Sequence, residues 1–295
     1  MNPSSFAIIM ACNVVWALNV IVSKWAVDDY AVPPLFYAAL RSLVVVAALV
    51  PFLRKMPADP VRVMLIGLAI SGGSFGLLFI GLQTASPSAA GIVNLTGAPL
   101  TVLFAIVILK EEVRWRRMLG MALAFGGVAL AVASPAGMES GVGLLYVFAG
   151  VVVGALGAVF FKRITIGAVE MQAWAGLASV AFLFPISFGL ESGQFAAVTA
   201  APWEVLGCVA FAGLVVSVGA HSAYYHLLQR HDANLLVPLT LMTPLLTIGF
   251  GAWLTGDPIG PRLLIGAGLA IAGVAIIVIR PSRAIFKPLL VRVRF

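Results

Sequence analysis

Arg41 stands inside the apolar run FYAALRSLVVVAALV, where a cation is costly to hold without an anion, a set of carbonyls or a bound ligand to offset its burial. Lys24 closes the preceding apolar run, and the carboxylate of an amino acid would be drawn to either cation. Each also has a plainer use. Arg41 can donate to backbone carbonyls or pair with Asp28 or Asp29, and Lys24 can extend along the apolar surface to reach water. Further along, Ser217, His221 and Tyr225 recur every four residues with Tyr224 beside them, a polar face inside an apolar helix. An imidazole there could bind a solute or carry a proton, since it titrates near neutrality, or simply donate to a neighbouring helix.

Other polar residues fall in the same kind of setting. Asn13, Trp16 and Asn19 lie three apart and occupy roughly a third of a helix circumference. Ser71, Ser74 and Phe75 share a face with Leu78 a turn on, Asn94 and Thr101 stand seven apart, and Thr240, Thr243 and Thr247 form a third stripe. Tyr146 is a further candidate aromatic wall. The plain alternative is helix-to-helix hydrogen bonding, which stabilises by roughly 0.6 to 2 kcal/mol without any ligand. Pro99 and Pro244 each remove a backbone donor and disturb the bond one turn back, giving either a hinge or a static kink.

Some chemistry is unsupported. The eleven Asp and Glu residues all fall between apolar runs or near their ends, so a carboxylate proton relay through the centre is not expected. The glycine-rich phosphate loop that would couple ATP is missing. Cys12 and Cys208 lie in separate apolar runs and suggest neither a disulfide framework nor a metal site, and no cofactor is expected. A lipid-modifying enzyme would need acid-base or metal-binding residues clustered near one interface, and only His226, His231 and Asp232 approximate that.

The elements that must position these residues follow from composition. The 295 residues are 62% apolar and 10% charged, whereas a soluble domain carries roughly 25% charged residues. Lipid is the solvent that explains the difference. A bilayer core of about 30 Å needs about 20 helical residues, with every backbone group bonded inside the segment. Ten runs meet that length, at about 6–27, 32–53, 62–82, 87–109, 117–134, 142–161, 170–190, 203–228, 233–255 and 263–280. The first is too long for a signal-peptide core and reads as a retained span.

Sidedness tests the count, because cytoplasmic loops collect Lys and Arg. One side receives Arg54, Lys55, Arg62, Lys110, Arg114, Arg116, Arg117, Lys162, Arg163, Arg230, Arg280, Arg283, Lys287, Arg292 and Arg294. The other receives Lys24 and Arg262. Both termini are therefore expected in the cytoplasm, and the scattered charge argues against nucleic acid as a partner.

The chain also repeats. Gly120–Val132 (GMALAFGGVALAV) aligns with Gly266–Val278 (GAGLAIAGVAIIV), each behind a proline-containing span and a short acidic turn, and Lys24 ends the first span as Lys162 ends the sixth. Five spans per copy place residues 1–137 and 138–295 in opposite orientations. Two such halves can pack in two nearly equivalent ways around a site at their interface, the geometry alternating access requires.

WALNVIVSK with Trp16, Asn19 and Lys24, then Arg41 in ALRSLVV, then Pro99 through LKEEVRWRRMLGMALAFGGVAL and its second copy over 244–278, together resemble the EamA-type family of the drug/metabolite transporter superfamily. The likeness covers essentially the whole chain and is strongest to bacterial exporters of aromatic and other amino acids. It implies a solute cavity lined by spans 1, 3, 4, 6, 8 and 9. The second copy departs from the first, with Gly154 in the place of Trp16 and Ser179 in the place of Arg41.

The expectation is an all-α integral membrane protein of ten helices, not an enzyme, in the bacterial inner membrane as a monomer or weak dimer. It would export amino acids or similar small metabolites down their gradient unless His221 couples protons. Ser, Thr and Asn would hold the solute's polar head, and Trp16, Phe75, Leu78 and the tyrosines its apolar part. A multidrug or nucleotide-sugar transporter of the same fold, a lipid-modifying enzyme and a channel-like pore are the alternatives.

Overall fold

The computed structural model describes residues 3–113, 115–134, 141–231, 236 and 239–279, without the side chains of Tyr225, Leu228 and Gln229. Among them every regular element is helical. Proline, which has no N–H to leave unsatisfied and a fixed φ, opens many of the helices. It does so at Pro34, Pro60, Pro87, Pro202 and Pro261.

Seven helices come first: α1 Pro3–Asp29, α2 Pro34–Leu53, α3 Pro60–Leu82, α4 Pro87–Leu109, α5 Trp115–Val132, α6 Gly141–Phe161 and α7 Ala168–Leu190. The short α8 (Gln194–Ala200) lies in the next connection. In α9 an α-helical stretch Pro202–Ala210 runs into a π-helical one, Phe211–Ala220, and returns to α over His221–Arg230. Met242–Thr255 forms α10 and Pro261–Val278 forms α11.

Nine of the described helices are long and apolar enough to cross a membrane. The expected span 233–255 is represented by α10, which is shorter. Residues 232–235, 237 and 238 lie outside the described residues, as do Arg114, 135–140 and the basic tail 280–295. Large apolar side chains such as Leu65, Val107, Leu145, Trp203 and Trp253 are exposed on the outside of the bundle, which suits lipid as its solvent.

Small residues set the closest helix contacts. Gly120 of α5 lies against the Gly273 backbone of α11, and Gly127 against Gly266 and Ala270. A Cβ at any of these glycines would collide with backbone of the other helix. Since Gly120 aligns with Gly266 and Gly127 with Gly273, the two repeated segments pack antiparallel and reciprocally. Gly81 of α3 and Gly143 of α6 make a similar approach.

Acidic side chains tie helix starts across the fold. Glu191, just after α7, accepts from the Leu35 and Phe36 amides at the start of α2, at 2.8 and 3.1 Å. Asp257, after α10, accepts from the Ser88 amide of α4 at 2.7 Å. A carboxylate at a helix N-terminus meets unsatisfied N–H groups and the positive end of the helix dipole. Gly143 packs beside Thr84 and Ala85, so these contacts gather at one end of the bundle. At the other end Lys162 pairs with Glu111 at 3.4 Å and Arg163 donates to the Ile108 carbonyl at 2.9 Å.

Candidate functional site

A cavity of about 340 Å³ lies among α2, α3, α6, α7 and α9. Arg41 and Ser42, Ser71 and Phe75, Gly154 and Phe161, Met171 and Gln172, and Ser217 and His221 line it. It reaches from the middle of the bundle toward the Lys162 end, where α6 finishes and α7 begins.

The π segment of α9 builds its polar wall. Winding to i+5 disturbs the regular helix ladder and presents carbonyls that side chains can use. Ser217 Oγ donates to the Ala212 carbonyl at 2.6 Å, and His221 Nδ1 donates to the Val216 carbonyl at 2.9 Å. Gln172 Nε2 donates to the Ser217 carbonyl. Gly213 of the same segment packs against Val44 and the Arg41 carbonyl, which brings α9 close to α2.

Arg41 is 4% exposed. Its Nε donates to Ser217 Oγ at 3.0 Å and to the Ala212 carbonyl at 3.3 Å, and its Cζ lies 3.6 Å from the centroid of the Phe75 ring. A guanidinium over an aromatic face gains cation–π attraction, most when desolvated. Nη1 is buried without a hydrogen-bond partner among the described residues, and no described carboxylate pairs with this cation. Asp28 pairs instead with Lys24 at 2.6 Å, and Lys24 also donates to the Gln83 carbonyl at 3.4 Å, away from the cavity. Of the two cations, one is committed and the other is available.

A second cavity, of about 230 Å³, sits where α4 is interrupted and where α10 begins. The break in α4 falls at Leu95 and Thr96, one turn before Pro99, and that leading into α10 at Thr240 and Leu241, one turn before Pro244. The Leu95 and Thr240 carbonyls are the ones that Pro99 and Pro244, lacking an N–H, cannot bond. Val20, Asn94, Thr240, Thr243, Pro244 and Thr247 are among its lining. Its hydroxyls are largely committed: Thr243 Oγ1 donates to Asn13 Oδ1 at 2.6 Å and Thr247 Oγ1 to the Thr243 carbonyl at 2.9 Å.

The remaining candidates whose side chains are described line neither cavity. Trp16 packs on His221 and Tyr224, at 5.5 and 5.3 Å between centroids, with its Nε1 buried and without a hydrogen-bond partner among the described residues. Asn13 is fully buried and donates to the Ile9 carbonyl at 2.8 Å, and Asn19 is buried with no partner for Oδ1 among the described residues. Ser74 faces Gly150 and Gly154 of α6, and Leu78 is in the core. Thr101 bonds back to the Gly97 carbonyl at 2.8 Å, and Tyr146 is exposed on the surface. The Tyr225 side chain lies outside the described residues. His231 hydrogen-bonds with Ser5 at 2.9 Å, His226 is exposed and Asp232 lies outside the described residues.

The expected single cavity along spans 1, 3, 4, 6, 8 and 9 is therefore divided, with α2 and α7 prominent in the larger part. Gly154, in the place of Trp16 of the first copy, lines the larger part and lets α6 approach α3 closely, since a Cβ there would meet Ser74 Oγ at 3.0 Å. Gln172 is not singled out by the sequence pattern, because it stands near the expected start of its span, where a polar residue reads as interfacial. The signal was nonetheless present in an amide carried by an otherwise apolar helix turn.

Comparison with known proteins fits this geometry. A model described as the EamA-like transporter family matches residues 4–133 and again 141–279. A "Probable amino-acid metabolite efflux pump" of Salmonella typhimurium is 28% identical over 275 residues, 89% of this chain and 91% of its own. The protein of the same name from Escherichia coli is 26% identical over the same shares. A solved crystal structure, 22% identical, covers 94% of this chain and 96% of its own with a TM-score of 0.56, a likeness of fold.

Proposed function

The chain belongs to the EamA-like transporter family, and from that premise we propose that it exports amino acids, neutral and aromatic ones included, or similar small carboxylates, by alternating access. The observation that carries this reading is Arg41: a buried cation with no carboxylate partner among the described residues, facing a cavity of metabolite size. A solute carboxylate would supply the missing anion, and hydrogen bonds to a charged group contribute roughly 1.5 to 3 kcal/mol each. Phe75, Phe161 and Met171 offer the apolar contact that a side chain needs. The efflux-pump names of the two relatives agree with export of this class.

In this reading ten spans form two inverted halves, 1–137 and 138–295, in a bacterial inner membrane with both termini in the cytoplasm. The reciprocal antiparallel packing of α5 on α11 supports the inversion. The basic loops make the Lys162 end cytoplasmic, so the Arg41 cavity faces inward while the Glu191 and Asp257 contacts hold the outer end closed. Transport follows the solute gradient in this reading unless His221 carries a proton, and the described cavity lining offers no Asp or Glu for a carboxylate relay. Asn94 and the threonine stripe, with Pro99 and Pro244, form the bend about which the halves move. Asn13, Trp16, Asn19, Ser74, Leu78 and Thr101 serve the packing around it.

The test is counterflow. Proteoliposomes preloaded with unlabelled neutral amino acids should take up labelled phenylalanine or leucine saturably and faster than empty-loaded vesicles. Uptake no faster than in protein-free liposomes would end the transporter reading for these solutes.

A further inference from the structure

Gln172 gives the cavity a second unmet group, of opposite polarity to Arg41. Its Nε2 donates to the Ser217 carbonyl, and only the nitrogen of the amide can do so, which fixes the orientation and turns Oε1 away from that carbonyl. Oε1 is buried and has no donor among the described residues. Arg41 is held from the same residue, through Nε on Ser217 Oγ, and its Nη1 lacks an acceptor among the described residues. One residue of the π segment thus carries, on its side chain and on its carbonyl, both a starved donor and a starved acceptor.

Leaving either buried group unmade costs free energy, and one kind of ligand meets both. An anion alone satisfies Arg41 and leaves the amide oxygen dry. An amine alone satisfies Gln172 but stands beside an uncompensated guanidinium. A zwitterion with its ammonium and carboxylate on the same carbon offers an acceptor and a donor within the same few ångströms. Of the other polar groups in the lining, Ser42 is engaged on the Ala38 carbonyl at 2.7 Å and His221 on the Val216 carbonyl, while Ser71 adds a neutral hydroxyl that supplies neither the charge of Arg41 nor the position of the amide on Ser217.

We infer that the cavity selects α-amino acids with a free amino group, Gln172 Oε1 accepting from the ammonium while Arg41 binds the carboxylate. This rests on the export reading above and narrows its substrate class. Gln172 is a specificity-determining residue, and Ser217 positions it together with Arg41.

The experiment uses the full chain in proteoliposomes exchanging labelled leucine and phenylalanine, with unlabelled leucine and N-acetyl-leucine as competitors. With the native chain, leucine should compete at least tenfold more strongly than N-acetyl-leucine, which keeps the carboxylate and lacks the ammonium. In Gln172→Met, close in size and without the amide, leucine should weaken roughly ten- to hundred-fold, the scale of a lost charged hydrogen bond, while N-acetyl-leucine stays unchanged. Its unchanged potency also verifies that the variant is folded. A preserved leucine advantage in Gln172→Met, or an equal weakening of both competitors, overturns the inference alone. Absence of exchange by the native chain overturns it together with the export reading.

Discussion

The Arg41 cavity and the crevice between Asn94 and Thr243 are cut into one bundle by different means, and their polar groups are left in different states. A π segment opens the first, and its side-chain hydrogen bonds hold Arg41 and Gln172 in place while leaving Nη1 and Oε1 unmet. Two proline-induced breaks open the second, and its threonines bond to Asn13 or back to their own helix. Unmet buried groups are what a solute can satisfy. Groups already satisfied hold helices together, and a bend without an unmet charge suits movement better than recognition.

Three changes would break or sharpen this contrast. The largest effect is expected from Arg41→Ala, which should lower amino-acid exchange at subsaturating solute by about a hundredfold or more, the scale of two charged hydrogen bonds lost together. Arg41→Lys should fall between, because an ammonium keeps the charge and loses the planar fork and its stacking on Phe75. Initial rates in proteoliposomes measure both.

Ser217→Ala comes next. Removing the hydroxyl frees Arg41 Nε from one of its two acceptors while leaving the guanidinium in place, so KM should rise by about tenfold with little change in the maximal rate. A variant that lost maximal rate at unchanged KM would instead make Ser217 part of the moving machinery.

Thr243→Val should be the mildest. It deletes the hydrogen bond to Asn13, so thermal stability in detergent should fall by about 0.6 to 2 kcal/mol, with KM within threefold of the native value. A large KM change there would make the crevice a binding site and erase the contrast.

How much of this was legible follows from what each feature depends on. Helix positions were, because lipid forces long apolar helical runs, and the starts at Pro34, Pro60, Pro87 and Pro202 lie within two residues of those expected. Arg41, Ser217 and His221 stood out as polar residues in apolar surroundings, and the cavity brings them together with Ser71 and Phe75. Other patterns failed for local reasons. Asn94 and Thr101 share a face on a continuous helix, but the helix is broken at Leu95 and Thr96, and Asn94 alone of the two lines the crevice while Thr101 bonds back to Gly97. Ser74 shares its stretch with Ser71 and Phe75, yet the π-helical turn Ala69–Gly73 precedes it and it faces α6.

Trp16 has mid-span character but meets a histidine and a tyrosine, a tertiary fact that no spacing contains. The π winding of α9 is of the same kind, since its carbonyls are engaged by Arg41 and Gln172 from other helices. The α8 helix is short and lies in a connection, where no periodic apolar run announces it.

The central claim is that Arg41 receives the solute's carboxylate, and one comparison tests it most directly. In counterflow of labelled phenylalanine, unlabelled phenylalanine should compete strongly with the native chain while phenethylamine, the same molecule without its carboxylate, should not. In Arg41→Ala, whose folding is verified by an unchanged elution profile, phenylalanine should lose that advantage and the two competitors should become alike. An Arg41→Ala variant that still prefers phenylalanine over phenethylamine by the native margin would contradict the account.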